Sequence, residues 1–235
     1  MNILAIDTSN QVLGVSILKD DQIIGEIMTN LTKNHSVRLM PAIERLMGEV
    51  SMDPDQLDRI VVAKGPGSYT GVRIGISTAK TMAWSLNIPV VGVSSLEVLA
   101  YQGRFFNEYI CPFFDARRGL VFTGLYKWEN NKLSKVMDEN NLLMDNVLQK
   151  LKEEQKRVLF LSPDIAVHKE AIQQSLGDLA VIPEGPYHVP QAGHLGLAGL
   201  EKEAETAHEL VPNYLRLAEA EANWLKEQKE KENHG

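Results

Sequence analysis

Cysteine, long apolar runs and excess positive charge are all scarce in this sequence, and each shortage excludes a class of protein. Cys111 is the only cysteine, which excludes an internal disulfide framework and is typical of a reducing cytoplasm. Its apolar neighbours predict a buried, unreactive thiol. The longest apolar runs, such as Val90–Val93, are far too short to span a membrane. The N-terminus reaches Asp7 without a basic segment, so we expect no secretory signal and a cytoplasmic location.

The charge balance is also unsuited to a protein that binds nucleic acid by itself. The chain has 24 Lys and Arg against 31 Asp and Glu, which gives a formal net charge of −7. A protein that holds nucleic acid alone usually needs a basic surface to displace counterions from the phosphates. We therefore expect any nucleic-acid contact to be made mainly through a partner.

What the sequence does contain is an order of strands and helices that occurs twice. The first half predicts strands at 2–7, 12–18 and 22–29, then a helix at 36–50, a strand at 59–63, a helix at 69–86, a strand at 89–93 and a helix at 95–103. The second half predicts strands at 109–115, 120–128 and 133–137, then a helix at 144–154, a strand at 157–162, a helix at 164–176, a strand at 179–182 and a helix at 192–205.

This repeated β-β-β-α-β-α-β-α order predicts an α/β protein with two similar lobes. We place the first lobe at residues 1–105 and a smaller second lobe at 106–212. A last helix, at about 218–229 within the C-terminal segment 213–235, is expected to pack back on the first lobe.

The first strand of each half ends in an aspartate, Asp7 in the first and Asp115 in the second. Carboxylates at such positions can hold Mg²⁺ together with phosphate oxygens and water. They can equally cap the turn that follows the strand. The residues alone leave both interpretations open.

A glycine-rich segment, 65–75, leads into the helix at 69–86. It is not a Walker A loop, because no lysine follows Gly71 at the position that reaches phosphates. Its helix N-terminus can still bind an anion, but close packing is the simpler reason for the glycines. Small residues recur every four positions along the helix and permit a close neighbour: Gly71, Gly75, Ala79 and Ala83.

Five segments together resemble the TsaB family, in order and over the full chain: Asp7-Thr8-Ser9, His35-Ser36, the segment 65–75, Asp115-Ala116-Arg117 and Pro212-Asn213-Tyr214-Leu215-Arg216. The resemblance implies the two-lobed actin-like, ribonuclease H-like fold shared with sugar kinases and Hsp70. It also implies work with TsaD and the small ATPase TsaE in forming threonylcarbamoyladenosine beside the tRNA anticodon. In that pathway TsaD is the transferase, and the TsaB subunit is required but non-catalytic.

Positions that carry chemistry in catalytic relatives hold other residues here. TsaD-type relatives have a His-x-x-x-His pair where this chain has Ser95 and Leu99, and leucine cannot bind a metal. Kinase-like relatives have a glycine pair for adenosine where this chain has Leu161-Ser162-Pro163-Asp164. We therefore expect no metal or nucleotide on the chain alone, with ATP and metal on partner subunits. Asp7 and Asp115 remain weak cofactor candidates, and capping is favoured for both.

Two helices of the first lobe are expected to form the partner surface. On the second, Val72, Ile76, Ala79 and Ala83 are assigned to the core, and a seam of small residues beside them is suited to a facing helix. The predicted interface residues are Met40, Ile43 and Met47 on the first helix and Gly71, Gly75, Thr78 and Met82 on the second. Two such helices meeting two from a similar fold predict a four-helix contact. It would serve the TsaD heterodimer or, without TsaD, a homodimer, with tRNA bound only through the complex. The alternative is that both helices are buried within the monomer.

An enzyme on the same fold, either an ATP-dependent kinase or a glycoprotease-like hydrolase, is the alternative function. Its support is the fold, which does not fix function, together with Asp7 and Asp115. The sequence contains no Gly-x-Ser-x-Gly elbow and no His-Glu-x-x-His set. The residues therefore favour a binding subunit over an enzyme.

Overall fold

The computed structural model describes residues 1–31 and 34–215, and the first part of the chain forms a five-stranded sheet. Its strands are β1 (Asn2–Asp7), β2 (Val12–Lys19), β3 (Gln22–Asn30), β4 (Arg59–Ala63) and β5 (Val90–Val93). The spatial order is β3-β2-β1-β4-β5. The first three strands form an antiparallel meander, whereas β4 pairs parallel to β1 and β5 parallel to β4.

The second half of the chain repeats this topology. Its strands are β6 (Tyr109–Asp115), β7 (Leu120–Glu129), β8 (Lys132–Leu143), β9 (Val158–Leu161) and β10 (Ala180–Val181), in the spatial order β10-β9-β6-β7-β8. The predicted duplication of an α/β unit is therefore confirmed. β8 is longer than the expected 133–137, because its polar second half still pairs with β7 as far as Leu143 opposite Leu120.

Six helices pack around the sheets: α1 (His35–Glu49), α2 (Tyr69–Leu86), α3 (Ser95–Ala100), α4 (Met144–Glu154), α5 (Ile165–Leu176) and α6 (Ala192–Leu200). Side-chain caps begin the two long helices of the first lobe. Asn34 accepts from the backbone N–H of Ser36, and Ser68 accepts from that of Gly71. α2 ends at Asn87, which has a left-handed conformation that asparagine tolerates. No helix among the described residues is long and apolar enough to cross a membrane.

The end of the second lobe lies earlier than the sequence predicted. α6 packs on the face of the first sheet opposite α1 and α2, where Leu195 and Ala198 join a cluster with Ile3 and Val61. The predicted boundary at residue 212 is therefore corrected, because α6 already belongs to the first lobe. α6 also ends at Leu200 instead of residue 205. The predicted helix at 218–229 lies outside the described residues.

α3 joins the two lobes through a shared apolar core. Leu96 and Leu99 on this helix pack in one cluster with Ile110 and Phe114 of β6. The lobes are thus connected by buried side chains as well as by the chain itself.

Candidate functional site

The glycine-rich segment packs directly against the residues that follow β1. A Cβ atom added at Gly71 would collide with the carbonyl oxygen of Thr8, and one added at Gly75 would lie 2.6 Å from the Thr8 hydroxyl oxygen. The Thr8 hydroxyl donates to the Gly71 carbonyl at 2.7 Å, and the Ser68 N–H donates to the Ser9 carbonyl at 2.6 Å. Two of the motifs found in the sequence therefore form one close contact, which favours the packing interpretation of the glycines.

This contact corrects part of the predicted partner surface. Gly71 and Gly75 are both buried and face the end of β1 in the same chain, so they do not form an exposed seam for a partner helix. The predicted core stripe of Val72, Ile76, Ala79 and Ala83 is confirmed, since all four are buried. Thr78 is half-buried beside it. The four-residue spacing identified a closely packed side of α2 but not the neighbour that it packs against.

The methionine part of the predicted surface does come together, in a groove between α1 and α2. The groove has a volume of about 610 Å³. Ile43 and Met47 are buried on its α1 side, Met82 is half-buried on its α2 side, and Met40 is 50% exposed. With Met52, four of the chain's eight methionines line it. We call this feature the methionine groove; its charged lining residues are Glu44 and Asp53.

A second concave feature, of about 440 Å³, is a cleft between the two lobes. Asn10 and Ser68 line it from the first lobe, and Asp115, Asp164 and His188 line it from the second. Pro163 and Asp164, in the segment where the resemblance implies an adenosine-binding glycine pair in kinase-like enzymes, also line it. Whether the cleft could hold a magnesium-bound nucleotide depends on the contacts that Asp7 and Asp115 make.

Asp115 is engaged by its own lobe. His168 Nε2 lies 3.0 Å from its Oδ1, and the backbone N–H of Arg117 donates to its Oδ2 at 3.2 Å. Arg117 and Arg118 both have positive φ, so Asp115 caps a tight turn between β6 and β7. The capping interpretation is supported by these bonds.

Asp7 is buried, with 2% of its surface exposed, and it does not line the cleft. The backbone N–H of Ser9 donates to its Oδ1 at 2.8 Å, whereas its Oδ2 has no hydrogen-bond partner in the described part of the chain. Loss of solvation raises the pKa of Asp7, although hydrogen bonds from Ser9 and the charge of His35 oppose that rise. In this structure each aspartate thus holds the turn that follows its own strand.

The remaining chemical candidates of the sequence are structural. Ser95 and Leu99 are fully buried in α3, and no group of three or more His, Cys, Asp or Glu within 1–31 and 34–215 is placed to hold a metal ion. Cys111 is buried as predicted, and burial raises its pKa to about 12. Its thiol is thus held in the unreactive protonated form.

Sequence reasoning did not foresee how the segment from Pro212 would connect the lobes. The Asn213 N–H donates to the carbonyl of Lys64 in the first lobe at 2.7 Å, and its side-chain amide donates to Glu139 in the second at 3.0 Å. Tyr214 stacks on Tyr69 with ring centres 5.6 Å apart. The resemblance was the only signal for this segment, and it gave no contact.

Comparisons with known proteins agree with this architecture. The family described as TsaD, tRNA N6-adenosine threonylcarbamoyltransferase, matches residues 22–224. The tRNA threonylcarbamoyladenosine biosynthesis protein TsaB of Bacillus subtilis (strain 168) is 53% identical over 229 residues, which are 97% of this chain and 100% of that protein.

Solved structures give the same result at the level of the fold. A Pseudomonas aeruginosa structure, described as an uncharacterized protein with similarity to peptidase YEAZ, has a TM-score of 0.79 and 26% identity, over 92% of this chain and 99% of its own. Component A of (R)-2-hydroxyglutaryl-CoA dehydratase from Acidaminococcus fermentans shares the fold alone, with a TM-score of 0.50 and 11% identity over 86% and 98% of the two chains. With 53% identity to a TsaB protein over nearly the full length of both sequences, the chain belongs to the TsaB family.

Proposed function

We propose that this chain is a non-catalytic scaffolding subunit required for threonylcarbamoyl transfer to the adenosine next to the anticodon of tRNA. It acts with a TsaD transferase and the ATPase TsaE, which carry the metal and ATP. The observation that carries the proposal is the methionine groove, an open apolar surface on a chain whose candidate catalytic positions are buried or already hydrogen-bonded.

The groove suits a helical protein partner. Its methionines are unbranched and flexible, so they adapt to different side chains. This property allows one surface to serve a TsaD partner and, without TsaD, a second copy of the chain. Because Glu44 and Asp53 lie along the groove, the TsaD surface is expected to present apolar side chains beside basic ones.

The change Met40→Glu tests the proposal. Met40 is half-exposed, so the charge should leave the fold intact but place a carboxylate in the buried centre of the interface. We expect association with the TsaD partner to weaken at least about tenfold, which corresponds to about 1.4 kcal/mol. Co-purification and sedimentation velocity measure the heterodimer and the homodimer.

Val167→Glu is the matched control, because Val167 is similarly exposed, at 66%, but lies on α5 of the second lobe. It should leave both assemblies unchanged. Undiminished binding of TsaD by Met40→Glu, with native circular dichroism, would place the interface elsewhere.

The alternative is a kinase-like or glycoprotease-like enzyme on the same fold. Two features favour it. One is the cleft between the lobes, and the other is the Oδ2 of Asp7, which has no hydrogen-bond partner among the described residues. Asp7 lies close in sequence to Asn10, which lines the cleft. The engaged oxygens of Asp115 and the raised pKa of Asp7 argue against it. ATP binding, treated in the Discussion, separates the two functions.

A further inference from the structure

A second exposed surface runs along α2, on the side away from the methionine groove. Its helical residues recur at intervals of four or seven: Tyr69, Arg73, Lys80 and Trp84. Because each residue turns the helix by about 100°, Trp84 lies roughly 160° around α2 from Met82, which lines the groove. Together with Tyr214, which stacks on Tyr69, these residues form what we call the basic-aromatic stripe.

The aromatic side chains of the stripe are open to solvent. Trp84 is 71% exposed, Tyr69 is 48% exposed and Tyr214 is 46% exposed. Exposed aromatic rings in a row are unusual, because each leaves apolar area in contact with water. Between Tyr69 and Trp84 the row extends about 22 Å along the helix axis, at 1.5 Å per residue.

Both cations of the stripe are held in place by hydrogen bonds, and Arg73 also lies against an aromatic ring. The guanidinium carbon of Arg73 lies 3.9 Å from the centre of the Tyr69 ring, and Arg73 Nε donates to the Tyr214 hydroxyl at 2.8 Å. Lys80 is fixed by donating to the Leu210 carbonyl at 3.0 Å. The stripe is therefore preorganised, with its positive charges in defined positions.

The local charge is opposite to that of the whole molecule. Residues 59–96 contain four basic residues and no Asp or Glu, whereas the chain as a whole has a net charge of −7. Within α2 the only charged residues are Arg73 and Lys80, so the charge that this helix contributes to the stripe is positive and complementary to a polyanion.

We propose that the basic-aromatic stripe is a contact for unpaired nucleotides of RNA. An exposed ring that can stack on a base, beside cations that meet phosphates, is a combination that binds single-stranded nucleic acid. Trp84 supplies the ring, because Tyr69 is already stacked on Tyr214 and covered by Arg73, and Arg73 and Lys80 supply the cations. The proposed function supplies the identity of the RNA as tRNA, and the inference rests on it to that extent. With two cations the contact is weak alone, so it adds to RNA binding by the assembled complex.

The test measures RNA binding by the full-length chain at low salt. The probes are a fluorescently labelled tRNA transcript and a labelled ten-nucleotide oligouridine, followed by anisotropy. We expect Trp84→Ala to weaken binding at least about fivefold, the loss of one stacked base. Removing both cations, in Arg73→Ala/Lys80→Ala, should reduce the slope of log affinity against log salt by about 1.4.

Matched controls lie on other surfaces. Phe105→Ala removes an aromatic ring that is 94% exposed outside the stripe, and Lys152→Ala/Lys169→Ala removes two exposed charges from the second lobe. Both should keep wild-type affinity within about twofold, and all variants should keep the wild-type circular dichroism spectrum and the TsaD binding that Met40→Glu loses.

Three results would overturn the inference. They are wild-type protein that shows no saturable RNA binding at low salt, stripe variants that bind like the controls, and stripe variants that lose TsaD binding while keeping RNA affinity. The last result would identify the stripe as a protein interface. Since the methionine groove is tested by its own variant, failure of the stripe leaves the proposed scaffolding role standing, and the converse also holds.

Discussion

At the scale of single residues, Asp7 shows how burial changes the role that a motif residue can have. A carboxylate can hold Mg²⁺ together with phosphate oxygens when it is accessible. Here the carboxyl is almost inaccessible, with one oxygen bonded to the Ser9 N–H and the other unpaired. Its carboxylate holds the turn that packs against the glycine-rich segment, and burial of its negative charge destabilises the folded state.

That cost predicts a pH dependence. Since the pKa of Asp7 is raised above its ordinary value of 3.8, the folded state binds more protons than the unfolded state at pH values between 3.8 and the folded-state pKa. The contribution of Asp7 to stability therefore falls as the pH rises from about 3.8 through the folded-state pKa. We expect Asp7→Asn, which still accepts from Ser9, to gain stability relative to wild type over this range. Urea unfolding at several pH values measures the free energy of unfolding of both proteins. If that free energy changed with pH in the same way in both, the prediction would be wrong.

At the scale of elements, α2 makes three separate kinds of contact surface. Gly71 and Gly75 pack on the end of β1, Met82 lines the methionine groove beside α1, and Trp84 lies on the basic-aromatic stripe. The glycines fix the N-terminal half of the helix against the sheet. Met82 lies on the same side about three turns further on, and Trp84 lies on the opposite side, so both remain available for partners. Substitutions at the packed glycines should consequently affect stability before they affect binding.

A pair of glycine substitutions tests this division. In Gly71→Ala the new methyl meets the backbone carbonyl of Thr8, which cannot move aside as a flexible side chain would. We expect the free energy of unfolding to fall by about 1–3 kcal/mol. Gly48→Ala is the control, because nothing lies within 4 Å of a Cβ at that position of α1. It should instead stabilise the protein by about 0.5–1 kcal/mol. Denaturant titrations measure the free energy of unfolding of both variants. Equal effects of the two substitutions would refute the close-packing role of Gly71.

At the scale of the whole molecule, two copies of one topology enclose a cleft. α3 and the segment around Asn213 hold the lobes together from different sides. Of the two aspartates that end the first strand of each copy, Asp115 lines the cleft and Asp7 is buried away from it. The proposed scaffolding role accordingly predicts that the cleft binds no nucleotide in the isolated chain.

We therefore expect the isolated chain not to be stabilised by Mg²⁺ and ATP. A ligand present at 100 times its dissociation constant stabilises a protein by about 2.7 kcal/mol, a clear rise in melting temperature. Thermal melts with and without millimolar Mg²⁺–ATP measure this directly, and Mg²⁺ alone is the control. A rise that disappears in both Asp7→Asn and Asp115→Asn would reveal a nucleotide site and favour the enzyme alternative.

Periodicity and residue type determined much of this protein from the sequence alone. The twofold order of strands and helices, the core stripe from Val72 to Ala83 and the buried Cys111 all followed from patterns that are local to one element. The sequence did not predict the polar half of β8, because Asp138 to Asn141 lack an alternation of apolar residues although this part of the strand pairs with β7.

Only the tertiary structure decided what each element packs against. Helical spacing shows which side of α2 is small, but the neighbour of Gly71 and Gly75 is a turn some sixty residues away in the chain. In the same way, the apolar sequence of α6 fits either lobe, and it belongs to the first because the free face of that sheet receives it. Long-range contacts of this kind depend on which surfaces the rest of the fold leaves uncovered, and no local pattern in a single sequence records that.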